Sequence, residues 1–302
     1  MGLPAAAIDL GTNTVRLMIG RIESGSIEQL LLKRHITRLG GGFTVERGIS
    51  REARERTVAA LRDFAEEIKR HGITRVRAVA TSAVRDATNG EEFCHEIFLK
   101  TGIRLDVIDG RKEGHLTLRG VLAGLDERPK NLMVFDVGGG STEYTLTQEE
   151  RPLVTMSLPL GVVRLTEGKV TREAMEDKIV RELNSLKSLL AEKQLISLLE
   201  QATLVGTAGT ATTLAAISMK MTDYDYRRVN NYIIQLDEIK EIFAALLPMT
   251  PAGRLLVPGL EKGREDLIIA GILITIKTME IFQFTRLKVS DFGLLEGLLL
   301  EA

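Results

Sequence analysis

Two stretches of this chain are built on one plan, and that plan limits the folds open to it. AAAIDLGTNTVRLMIGRI at 5–22 and NLMVFDVGGGSTEYTLTQ at 131–148 each run as an apolar strand closing on an aspartate, a glycine turn carrying hydroxyl residues, and a second β-rich run. A third β-rich run follows each, so the segment up to Ile36 reads as a meander with Gly and Ser turns, and RPLVTMSLPLG completes the later copy. Beyond the first meander, SREARERTVAALRDFAEEIKRHG predicts a helix capped by Ser50 and stopped at Gly72. It puts Val58, Leu61, Phe64, Ala65 and Ile68 on one face. A strand VRAVATS, a helix around 91–100, a strand RLDVID and a helix from about 112 to 124 follow, giving β-β-β-α-β-α-β-α. After the second meander, helices are expected at about 171–191, 209–218, 237–246 and 264–282, with a short strand LVGTA and a final strand and helix in LKVSDFGLLEGLLLEA. Two related α/β halves are the economical reading. GLDERPKN, with its turn formers and charges, puts the boundary between 120 and 130, dividing the chain into 1–124 and 125–302 with the last helix packing back on the first half.

Length agrees, since 302 residues exceed the usual single-core domain. Hydrophobic residues at 44% and charged residues at 27% are ordinary for a globular protein. The 40 basic and 41 acidic side chains nearly cancel, so no global field draws nucleic acid or an anionic membrane, and any anion must be caught by a local site. Cys94 is the only cysteine, which rules out an internal disulfide and points to a reducing cytoplasm. The start, MGLPAAAIDLG, lacks the basic flank and apolar stretch of a signal peptide, and LIIAGILITI at 267–276 is too short to span a bilayer, so it reads as a buried helix. LLEGLLL and that apolar helix either bury within one copy or line a homodimer contact.

Chemistry concentrates in the glycine turns. Asp9 to Asn13 ends a strand on an acid and bares backbone N–H groups beside Thr12 and Asn13; Asp136 to Glu143 does the same with Gly138, Gly139, Gly140 and the hydroxyl of Ser141. A plain hairpin turn accounts for either alone, but two at equivalent places favour phosphate binding. GTAGTATT, with Gly206, Thr207 and Gly209, meets a helix N-terminus and suits a phosphate or nucleoside; close helix packing with a Thr cap is its structural alternative. No P-loop or dinucleotide fingerprint occurs, and the four histidines lack metal-site spacing.

AIDLGTNTVRLMI, AVATSAVRDATN, FDVGGGSTEYTL, GVVRLTEG, GTAGTATTLAAI and DFGLLEGLL together resemble the exopolyphosphatase and guanosine pentaphosphate phosphohydrolase family, in that family's order and over nearly the whole chain. The resemblance implies two ribonuclease-H-like domains of the actin-like ATPase superfamily, with a cleft between them that closes over phosphate. It also implies roles: Asp9, Thr12 and Asn13 as a first phosphate loop; Asp136, Gly138, Gly139, Gly140, Ser141 and Glu143 as a second; Arg85 as the phosphate-facing arginine; Glu113 as the catalytic carboxylate. The family's Ser-Gly-x-Glu-Glu-Ala is here DGRKEG, so Lys112 replaces the first acid, and Asn230-Asn231-Tyr232 replaces a His-Gly-Tyr element.

The expected reaction is hydrolysis of a terminal phosphoanhydride of polyphosphate or guanosine pentaphosphate. Glu113 activates water, Asp136 and Glu143 act with it at the reacting centre and, with Asp9 nearby, hold Mg²⁺ or Mn²⁺, and Arg85 clamps phosphate. A regulatory protein that binds polyphosphate or a guanosine alarmone with little turnover is the alternative, and an ATP-dependent kinase or heat-shock-type ATPase of the same superfamily is a third.

Overall fold

The computed structural model describes residues 3–23, 26–42, 48–168 and 171–302; the Ser24–Gly25 turn expected in the first meander lies outside them. The chain forms two compact units, one of residues 1–123 with 293–302 and one of residues 124–292.

The first unit opens with β1 (Ala5–Leu10), β2 (Thr14–Glu23) and β3 (Ser26–Ile36), followed by α1 (Arg51–Arg70), β4 (Arg75–Ala80), α2 (Ser82–Arg85), α3 (Gly90–Thr101), β5 (Asp106–Val107) and α4 (Gly110–Gly124). Its sheet runs β3-β2-β1-β4-β5. β1 and β2, and β2 and β3, are antiparallel, while β1 with β4 and β4 with β5 are parallel. β1 is buried along its whole length, as a central strand covered on both faces must be. One face takes α1, whose Ser50 hydroxyl accepts from the Ala53 N–H at 3.3 Å and whose Val58, Leu61, Phe64 and Ile68 enter the core.

The second unit contains β6 (Asn131–Val137), β7 (Thr142–Gln148), β8 (Arg151–Leu158), α5 (Val162–Gly168), α6 (Arg172–Glu192), α7 (Ile196–Leu199), β9 (Ala202–Thr207), α8 (Ala208–Ser218), α9 (Tyr226–Val229), β10 (Ile233–Gln235), α10 (Leu236–Leu246), α11 (Pro251–Arg254), α12 (Ile268–Ile281) and β11 (Arg286–Val289). Its six-stranded sheet, read as β8-β7-β6-β9-β11-β10, repeats the first sheet's three antiparallel and two parallel strands and adds β10 antiparallel at the edge. Both units are therefore α/β with the ribonuclease-H-like strand order, and the sequence repeat is a structural one. α12 carries the apolar run at 267–276 and is buried in the core, as its uniform hydrophobicity requires. Among the described residues no helix is long and apolar enough to cross a membrane.

The chain returns to the first unit through α13 (Leu294–Leu299). Leu294, Leu295, Leu298 and Leu299 pack on Ala5, Ala7, Met18 and Leu116, so small residues on β1 leave room for a helix. Gly120 of α4 and Gly297 of α13 let two backbones touch: a Cβ at either would run into the Gly293 or the Leu116 carbonyl.

Candidate active site

In the first unit the glycine turn between β1 and β2 is closed by Gly11 N–H donating to the Thr14 carbonyl at 3.0 Å. Asp9, buried at the end of β1, stands opposite Arg16 of β2, whose guanidinium donates to Asp9 Oδ2 at 2.7 and 3.2 Å. The turn is bound to α2, because the Thr81 N–H donates to the Leu10 carbonyl at 3.2 Å and the Thr12 and Ser82 hydroxyls meet at 2.9 Å. α2 carries Arg85, which donates to the Ile108 carbonyl at 3.1 Å and comes within 3.6 Å of Glu113 Oε2. Glu113 is buried in the first turn of α4. Thr12, Arg85 and Glu113, far apart in sequence, thus form one connected group, and Asn13 lies in the same turn.

Lys112, the departure from the family pattern, points its charge elsewhere. Its Nζ binds Glu301 at 2.8 Å, where Arg119 joins at 3.0 Å and Arg77 at 3.6 Å. These cations, Lys112 foremost, hold the Glu301 carboxyl below the usual carboxylate range. Lys112 therefore anchors the α13 segment to α4.

The second unit repeats the closing bond of the turn. Gly138 N–H donates to the Ser141 carbonyl at 3.0 Å, and Asp136, buried at the end of β6, stands opposite Glu143 of β7. Gly138 and Gly139 direct their carbonyls at the N–H groups of Val162, Val163 and Arg164, at 2.9–3.2 Å, so GVVRLTEG braces the glycine loop with the start of α5. Gly161 makes this approach possible, since a Cβ there would strike the Gly139 carbonyl. The Thr142 hydroxyl donates to the Leu160 carbonyl from the same side.

At the third cluster, Gly206 is packed between Phe135 and Leu287, and the Thr207 hydroxyl donates to the Phe292 carbonyl at 2.9 Å. Both have visible structural tasks. Ala208 adopts φ 59°, a left-handed conformation, at the start of α8, and the Arg264 guanidinium lies directly against Gly209. Arg264 is also held by Glu261 at 2.8 Å. Neither Arg16 nor Arg264 was among the residues singled out from sequence; only strand pairing with Asp9 could have revealed Arg16, and Arg264 comes from a loop with no motif. Asn230 and Asn231 both donate to the Gly124 carbonyl, at 2.7 and 2.9 Å, so this departure from the family pattern serves to hold the start of the second unit. A cavity of about 560 Å³ lined by Leu204, Phe284, Arg286 and Lys187 lies at the opening ends of β9 and β11 and contains none of the loop residues.

A divalent cation fits part of this arrangement. Among the described residues no three acidic, histidine or cysteine side chains gather at one point. Asp136 and Glu143, however, are cross-strand neighbours on one face, and like charges so placed are costly unless a cation joins them. Ser157 steadies Glu143, donating to its Oε1 at 2.7 Å. Mg²⁺ is commonly held by one or two carboxylates with water and substrate phosphates, which suits this pair. Asp9 differs, because Arg16 already occupies its Oδ2.

Similarity to known proteins matches this geometry. The family model described as the Ppx/GppA phosphatase family matches residues 18–302. The chain is 32% identical over 315 residues to the bifunctional 3-dehydroquinate synthase/phosphatase of Fusobacterium nucleatum, covering 98% of the chain and 46% of that protein, about half its length. It is 32% identical over 313 residues to exopolyphosphatase 2 of Mycobacterium tuberculosis, covering 98% and 97% of the two chains. The solved Aquifex aeolicus PPX-GPPA enzyme superposes with a TM-score of 0.80 at 33% identity, over 99% of each chain. With the duplicated aspartate–glycine turn, the Arg85–Glu113 pair and a matching family model over nearly its full length, this chain belongs to the Ppx/GppA phosphatase family.

Proposed function

We propose that this protein is a phosphohydrolase that removes the terminal phosphate of inorganic polyphosphate, that guanosine pentaphosphate is a second substrate of the same residues, and that it works in the cytoplasm. The observation that carries this reading is the turn built twice: an aspartate at a strand end, followed by a glycine N–H closing on a hydroxyl residue's carbonyl, at Gly11–Thr14 and again at Gly138–Ser141. Such turns offer backbone donors to phosphate oxygens. The 98% coverage by a relative named exopolyphosphatase 2 supports polyphosphate as the substrate.

Glu113 is the group that accepts a proton from the attacking water. The water oxygen bonds to the terminal phosphorus, the bridging P–O bond breaks, and the departing chain, one phosphate shorter, takes the bridging oxygen. Arg85, 3.6 Å from Glu113, presents positive charge to the phosphoryl oxygens. Thr12 and Asn13 orient the terminal group. In the second unit, Asp136 and Glu143 would hold a Mg²⁺ or Mn²⁺, which would neutralise phosphate charge beside the N–H groups of Gly138 to Ser141.

Phosphate release from long-chain polyphosphate and from guanosine pentaphosphate, measured side by side with Mg²⁺ and with chelator, tests the proposal. Release in Mg²⁺ and none in chelator is expected. Tight polyphosphate binding without release in Mg²⁺ would overturn it in favour of a regulatory binder.

A further inference from the structure

The first glycine turn is clamped by a segment that the sequence motifs do not include. Thr37 and Arg38, just after β3, both donate backbone N–H to the Asn13 carbonyl, at 3.0 and 2.9 Å, and Gly40 N–H donates to the Thr12 carbonyl at 2.8 Å. Gly40 sits so close to Thr12 that a Cβ would run into its methyl group, and Arg56 of α1 donates to the Thr37 carbonyl at 3.0 Å. The segment 37–40 is therefore fixed against the turn.

Within it, Arg38 adopts φ 46°. A left-handed conformation costs backbone energy for any residue with a Cβ, and glycine removes that cost. Glycines stand at 40, 41 and 42, yet an arginine occupies the left-handed position. Such outliers gather at ligand sites, held by surrounding structure. Strand pairing adds a second cation. Arg16 is opposite Asp9, and Arg34 is opposite Arg16, so all three share one face of the sheet in a row leading from the turn toward its edge. Arg16 is ion-paired with Asp9, Arg34 is half-buried across from Arg16, and Arg38 is exposed beside the turn.

We infer that Arg38, backed by Arg34, contacts the non-reacting phosphates of the polyanion, making the segment 37–40 a further phosphate-binding piece of the first unit. This rests on the first turn being a phosphate loop. It places positive charge where the rest of a chain must lie once its terminal phosphate is at the turn, and it favours a substrate with several phosphates in sequence.

The test compares Arg38→Gly and Arg38→Lys with the wild type on long-chain polyphosphate. Arg38→Gly should raise KM about tenfold, the loss of one charge-assisted contact, with kcat within about twofold. Its melting temperature should equal or exceed the wild type's, because glycine accepts the left-handed conformation. Arg38→Lys, which keeps the charge, should stay within about threefold in KM. An unchanged KM in Arg38→Gly overturns the inference, and so does a parallel loss in both variants accompanied by a lower melting temperature, which would mark a purely structural residue. The same pair made in a Glu113→Gln background and measured as polyphosphate binding decides the matter without turnover. A wild type that releases no phosphate then counts against the proposed function alone.

Discussion

Arg16 and Glu143 hold equivalent places in the two turns, each directly across from the aspartate, and their opposite charges separate what the turns can do. Asp9 is ion-paired with Arg16, whereas Asp136 faces a second carboxylate, the pair proposed to hold the cation. Replacing Glu143 with arginine should rebuild the first unit's ion pair in the second, leaving the fold intact by circular dichroism while abolishing Mg²⁺-dependent phosphate release. Retained Mg²⁺ dependence in Glu143→Arg would remove this pair from metal binding. Glu113→Gln should lower kcat by about 10²- to 10⁴-fold with KM nearly constant, as expected for a group that moves a proton in the transition state. A rise in KM with kcat preserved would make Glu113 a binding residue instead. The placing of Asp9, Thr12, Asn13, Asp136 and Ser141 at the two turns was legible because the pattern is local: acid, glycine and hydroxyl follow one another in the chain. Arg16, Arg34 and Arg38 were not, since their places depend on strand pairing and on a left-handed turn that no residue type announces.

At the scale of elements, the crossing of α4 and α13 rests on two glycines. Alanine in a helix is ordinarily more favourable than glycine, but at Gly297 the new methyl would meet the Leu116 carbonyl. Gly297→Ala should therefore destabilise by about 2 to 3 kcal/mol in urea unfolding, the reverse of the propensity effect. The same contact is pinned by Glu301, whose carboxyl Lys112, Arg119 and Arg77 hold low. A depressed carboxylate stabilises the fold above its unfolded value, about 4.3, and that contribution disappears as pH falls through the lower folded value. The stability difference between wild type and Glu301→Gln should thus be constant near neutrality and shrink below about pH 4.3. A difference that grows on acidification would assign Glu301 the wrong state. The long periodic helices and both meanders were readable from sequence. The short helix α2 was not: ATSAVR continues an apolar β-rich run, so the strand was expected to reach Ser82, whereas it ends at Ala80 and turns at Thr81 so that Ser82 meets Thr12. β10, three residues long, has too little pattern to detect and is defined by its pairing with β11.

For the whole molecule, the near-zero net charge means that affinity for a polyanion arises from local arginines, so binding should weaken with salt only as steeply as a few contacts require. The first unit is discontinuous, taking residues 1–123 and 293–302, whereas residues 124–292 form the second without interruption. Leu294, Leu295, Leu298 and Leu299 complete the core over Ala5, Ala7 and Met18. A fragment of residues 1–123 should therefore be poorly folded alone and gain ellipticity when a peptide of residues 293–302 is supplied; a fully folded fragment would show that α13 is dispensable. During synthesis this arrangement sets an order of events. The later unit can close on itself as soon as it leaves the ribosome, while the earlier one must wait with an open apolar face until the last leucines emerge, which makes the newborn amino-terminal half the part most in need of a chaperone.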